Sequence, residues 1–130
     1  WQQLESGVRS IAATTDTVYV VTGAILQTAG NHEAITWITP KSDSKRCPVP
    51  NYYYKALLKV RRDASNKVTS AMTIGFWMEH REYSNDNYTN YATSVAEIER
   101  LTGFDFFANL HADIQAAAEQ NSNWNTFASF

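Results

Sequence analysis

Residues 52–78 read YYYKALLKVRRDASNKVTSAMTIGFWM, and this stretch decides the fold. Its two ends, 52–60 and 68–78, are rich in aromatic, β-branched and other apolar residues, the composition of strands with at least one packed face. Between them 61–67 is polar, and Asp63, Ser65 and Asn66 are residues that turn a chain. The pattern predicts a β-hairpin. On alternating positions of its first strand, Lys55, Lys59 and Arg61 share one face.

Toward the N-terminus, Trp1, Leu4, Val8 and Ile11 recur at helical spacing, so the first dozen residues read as a helix with Glu5 and Arg9 on an adjoining face. No Ser, Thr, Asp or Asn stands ahead to cap it, which leads us to expect that the sequence starts inside a longer chain. Thr15 and Asp16 close the helical pattern. Residues 17–22 read as a strand ended by Gly23, and 33–38 as a second, shorter apolar run. Pro40, Pro48 and Pro50 mark 39–51 as a loop. Beyond the hairpin, 80–90 is a polar loop. Ser94 and Glu97 form a capping box opening a helix through Ile98 and Leu101 that Gly103 ends. Phe104, Phe106 and Phe107 make a compact aromatic anchor, 112–119 a further helix, and 120–130 a polar, irregular tail. No repeat or boundary divides the chain. Helix, strands, then helices predict a single α+β domain over 1–130, with a central antiparallel sheet and packed helices.

Composition excludes several classes. At 130 residues the chain has room for one modest core, and 44% hydrophobic against 18% charged residues rules out disorder. No run of 18 apolar residues exists to span a membrane. Cys47, the lone cysteine, excludes an internal disulfide framework and a Cys-rich zinc site. With no His or Asp beside it in sequence, it reads as structural or free. A net charge of −2 excludes a polycation but allows a local basic stripe.

Each candidate residue has an ordinary reading. Glu5 and Arg9, four apart, are an everyday helical ion pair. Lys55, Lys59 and Arg61 either track a phosphate backbone or solvate an exposed strand face; Lys41, Lys45 and Arg46 add charge in the proline-rich loop. His32, His80 and His111 lack ligand spacing, and Glu79, His80 and Glu82 amount at most to a weak metal site. Tyr52, Tyr53 and Tyr54 either stack bases or divide between core and surface. Asn87-Tyr88-Thr89 is a sequon of the kind that arises often by chance.

Five stretches, in order, resemble the DNA/RNA non-specific endonuclease family. They are Trp1, Leu4, Glu5 and Arg9 in the opening helix; Val20-Val21-Thr22-Gly23 with Ile25-Leu26, similar to a VTGPI strand; and Val49-Pro50-Asn51-Tyr52-Tyr53-Tyr54-Lys55. Residues 71–77 and SVAEIERLTGFDFFANL (94–110) complete the set. Two departures are Ala24 and His111, where the family commonly has proline. The resemblance implies a ββα-metal (His-Me finger) nuclease fold, of which this would be the C-terminal portion. It implies a secreted or periplasmic bacterial enzyme that hydrolyses DNA and RNA using Mg²⁺ and a histidine general base.

By the same resemblance, Glu5 accepts hydrogen bonds from metal-bound waters and Arg9 donates to non-bridging phosphate oxygens. The family's Asp-Arg-Gly-His motif and its metal-ligating asparagine lie upstream of such a helix and have no counterpart in these 130 residues. The expectation is therefore a fragment inactive alone, completed by a missing N-terminal half, with dimerisation possible through any apolar face left bare. The alternative is a non-catalytic nucleic-acid- or protein-binding domain.

Overall fold

The computed structural model describes residues 1–84 and 87–130; Asn85 and Asp86, part of the expected polar loop 80–90, lie outside the described residues. In chain order the elements are α1 (Gln2–Ala12), β1 (Val18–Ile25), β2 (Thr36–Ile38), β3 (Cys47–Val49), β4 (Tyr52–Arg62), β5 (Val68–Glu79), a 3-10 turn (Tyr88–Tyr91), β6 (Ala92–Thr93), α2 (Val95–Thr102), α3 (Ala112–Ala118) and α4 (Trp124–Ser129). The architecture is α+β. Its antiparallel sheet has the order β1-β4-β5-β6, with β2 and β3 as a separate exposed ribbon.

The hairpin β4–β5 is the centre of the fold. Alternation along β5 sends Ile74 and Phe76 to one face and Thr73, Gly75 and Trp77 to the other. On the first face Leu57, Ile74 and Phe76 pack beneath Leu4 of α1 and Phe127 of α4. On the second, Tyr54 and Ala56 meet Val95 and Ile98 of α2 and Phe106. The sheet thus separates two apolar clusters, and each needs helices to keep it from water.

Four local expectations are corrected. Gly23 does not end the first strand, which continues to Ile25. A Cβ there would lie 2.4 Å from the Tyr54 ring, so the residue is glycine because an aromatic ring covers it. The proline-rich loop contains β3, since Pro48 pairs opposite Trp37 on a short edge where a missing N–H is tolerated. The end of the polar loop, from residue 88, enters the 3-10 turn, which runs on to Tyr91 and into β6.

The tail is also ordered. Asn123 accepts a hydrogen bond from Thr126 N at 3.0 Å, starting α4, and Phe127 reaches the core with no exposed surface.

Other expectations hold with detail added. Ser94 Oγ accepts from Glu97 N at 3.1 Å, but the Glu97 carboxylate turns to Arg100 at 2.6 Å, so one arm of the capping box forms. Gly103 closes α2 at φ 76°. Of the aromatic anchor only Phe106 is buried, and Phe104 is exposed. Tyr54 is buried while Tyr52 and Tyr53 are half-buried, so the run divides between core and surface without strict alternation. Cys47 is exposed and free.

Candidate functional site

α1 lies over the sheet because Leu4, Val8 and Ile11 form its apolar stripe. Glu5, the next position after Leu4, is rotated toward the β1–β4 pair. In that pairing Thr22 stands opposite Lys55. Lys55 is only 6% exposed, and a buried ammonium needs partners. Its Nζ donates to Thr22 Oγ1 at 2.9 Å, lies 3.6 Å from Glu5 Oε1 and sits 4.5 Å from the centroid of the Trp1 ring.

Glu5, Val8, Arg9, Val20 and Lys55 line one cleft of about 210 Å³. The structure therefore brings together three of the five residues singled out in the sequence. Arg9 is exposed and makes no ion pair or side-chain hydrogen bond among the described residues. The ordinary Glu5–Arg9 helical pair does not form; Glu5 is taken by Lys55. An anion entering the cleft would meet a free guanidinium fork and an ammonium, with one carboxylate beside them.

Lys59 and Arg61 share the face of Lys55, as alternation predicts, but α4 covers that face. Lys59 Nζ donates to the Ala128 carbonyl at 3.2 Å and lies 5.1 Å from the Phe127 ring centroid. Burial lowers the Lys59 pKa, and the charge of Arg61 adds to the effect. Arg61 donates to the Phe130 carbonyl at 2.7 Å. Neither lysine solvates an exposed strand face, because Lys59 is also buried, at 3% exposure. The basic stripe opens outward at Lys55 and is tied to the tail beyond it.

A hollow of about 360 Å³ adjoins the cleft through Trp1, which lines both the hollow and the approach to Lys55. Tyr53 is the one tyrosine of the run that faces it, with Met78, Glu79, His80, Arg81 and Tyr83. Glu79, His80 and Glu82, which the sequence allowed at most as a weak metal site, do not converge as ligands among the described residues. Glu79 pairs with Arg81 at 3.2 Å, and His80 Nδ1 lies 2.9 Å from the Pro50 carbonyl oxygen. His32 and His111 are exposed, and none of the three histidines lines the cleft.

Sequence reasoning missed Thr22 and Val20 as parts of the site. Register across β1 and β4 puts them there, and register has no local signature. It also missed a second acidic group: Glu99, Asp105 and Glu119 have carboxylate oxygens within 4.8 Å of one another. Burial pushes the Glu119 carboxyl up against the opposing effect of Gln115, and the charges of Glu99 and Asp105 add to the rise.

The family model for DNA/RNA non-specific endonuclease matches residues 1–113. No curated protein matches the chain. The match spans most of the sequence, and the chain belongs to the DNA/RNA non-specific endonuclease family.

Proposed function

We propose that this member of the non-specific endonuclease family hydrolyses the phosphodiester bonds of both DNA and RNA, with Glu5, Arg9 and Lys55 at the scissile phosphate. The observation that carries the reading is the cleft itself: a carboxylate, a lysine that engages it and an arginine that no ion pair among the described residues occupies. Arg9 donates its planar fork to non-bridging phosphate oxygens as charge builds in the transition state. Lys55 balances Glu5 and adds positive potential at the cleft floor. None of these contacts reads a base edge, which suits an enzyme indifferent to sequence and sugar.

Glu5 is the only carboxylate lining the cleft among the described residues. Hard divalent cations take about six oxygen ligands or more. The donor set therefore fits a hydrated Mg²⁺ contacted through its waters, not one coordinated directly by this chain. When bound, such an ion supplies charge neutralisation at the leaving oxygen. In this reading Glu5 orients the hydration shell and Lys55 holds Glu5 in place. A histidine base and a metal-ligating asparagine come from outside residues 1–130, so these residues alone do not turn over substrate. A secreted or periplasmic setting goes with the reading.

The test uses the full-length protein with plasmid DNA and with RNA. Glu5→Gln and Arg9→Ala are expected to lower turnover of both substrates about 10²-fold or more while leaving nucleic-acid affinity within a few-fold. Turnover unchanged in both variants would sink the proposal. Binding without any cleavage by the parent protein would favour a non-catalytic domain.

A further inference from the structure

Across the sheet from the cleft, three carboxylates converge from separate elements. Glu99 belongs to α2, Asp105 to the loop that follows it, and Glu119 to the end of α3, with their oxygens within 4.8 Å of one another. Glu119 is 6% exposed, and its Oε1 is shut off from solvent without a hydrogen-bond partner among the described residues. No lysine or arginine forms an ion pair with any of the three among those residues. Like charges at this spacing, one with a buried unpaired oxygen, demand a proton or a cation.

The scaffold around them is well tied. Gln115 Nε2 donates to Asp105 Oδ1 at 2.8 Å and to the Phe106 carbonyl at 2.9 Å. Phe106 N donates to Glu99 Oε1 at 2.7 Å, and the Glu119 carbonyl accepts from Ala96 N at 3.2 Å. Glu99 and Asp105 are thus held through their carboxylates, and Glu119 through its backbone, by neighbouring elements. Asp105 is exposed, which gives an ion a way in and leaves room for water ligands.

We infer that Glu99, Asp105 and Glu119 form a binding site for a hard divalent cation, separate from the cleft of Glu5, Arg9 and Lys55. Three carboxylate oxygens within 4.8 Å of one another are close enough to share one such ion, with Ca²⁺, which accepts flexible oxygen coordination at about 2.3–2.6 Å, as the probe. The bound ion clamps α2, the aromatic loop and α3 to one another, and so stabilises the α2–α3 layer of the fold. This inference does not depend on the nuclease reading.

The experiment is calcium equilibrium dialysis with thermal unfolding in CaCl₂, on the full-length protein and on Glu119→Gln, Asp105→Asn and Glu5→Gln. The wild type is expected to bind one more Ca²⁺ than Glu119→Gln or Asp105→Asn, with a dissociation constant on the order of 10⁻⁴ M. About 5 mM CaCl₂ should raise its melting midpoint by roughly 5 °C. Both acidic-cluster variants should lose that rise, and Glu5→Gln should keep it. Asp105→Asn, at an exposed position, decides the matter if Glu119→Gln does not fold. Equal stoichiometry in wild type and Asp105→Asn, or a wild-type midpoint unmoved by calcium, overturns the site. So does a Glu119→Gln variant that gains stability while the wild type binds no calcium, which would assign the cluster to proton sharing.

Discussion

Glu5 reaches across the cleft to Lys55, 3.6 Å away, and leaves Arg9, one turn along its own helix, without an ion-pair partner among the described residues. That choice of partner sets the cleft apart from an ordinary helical ion pair at i and i+4. Lys55 comes from the middle of the sheet, so its position is as rigid as the core. Arg9 lies on the solvent side, where an incoming phosphate can reach it.

Lys55→Met tests whether this lysine serves the site or the fold. Methionine keeps the buried stem, and the carboxylate left behind, Glu5, is 40% exposed and can be rehydrated, so the uncompensated charge costs little. We expect urea unfolding of the full-length protein to change by no more than about 1 kcal/mol, while plasmid cleavage slows about 10²-fold. Loss of stability in step with activity would make Lys55 a structural residue.

Phe127→Ala tests the ordered tail. The ring has no exposed surface and packs with Leu4 and Phe76, so its removal leaves a cavity beneath α1. The expected cost is about 3–5 kcal/mol of unfolding free energy, measured by chemical denaturation. A cost under about 1 kcal/mol would mean that α4 does not cover the core in solution.

Gly23→Ala tests why β1 carries a glycine. The new methyl would meet the Tyr54 ring at 2.4–2.5 Å. Tyr54 is itself buried against Phe106 and Trp77 and has little room to yield. We expect destabilisation of about 1–3 kcal/mol, relieved in large part by adding Tyr54→Leu. Thermal melts of the single and double variants give the answer.

Tyr52 and Glu33 set a pH dependence. The Tyr52 hydroxyl donates to Glu33 Oε1 at 2.6 Å, and this bond, followed by the Thr28 amide, lowers the Glu33 pKa below 4.5. A carboxyl whose folded pKa is depressed contributes stability that is full above its unfolded pKa and is lost as pH falls through the folded one. Tyr52→Phe should therefore lower stability at neutral pH. The gap between variant and wild type should narrow as pH drops below 4.5. A gap constant from pH about 7 to about 3 would show that the bond does not favour the charged carboxylate.

Much of the fold was legible because its signals are local. The alternation of 52–60 and 68–78, the Ser94 cap and the Gly103 stop act within a few residues, and the hairpin and α2 follow from them. Element ends were harder. Gly23 looks like a strand terminator until Tyr54, thirty-one positions away, is seen lying over it. In 120–130 the six residues of α4 are too few to show a helical period, so Trp124, Phe127 and Phe130 give no pattern along the chain.

For the site, the sequence by itself determined the candidate residues, Glu5 and Arg9 on one helix and a run of basic residues on one strand face, because helical and strand periodicity set which side chains point the same way. Only the tertiary structure decided their partners. Docking of α1 on the sheet joined Glu5 to Lys55, and packing of α4 tied Lys59 and Arg61 to the tail. The Glu99, Asp105 and Glu119 group likewise exists only after α2 and α3 close on one face. Direction along a helix or strand is a local property of the backbone. Which charge answers another is set by long-range packing, and no pattern along the chain records it.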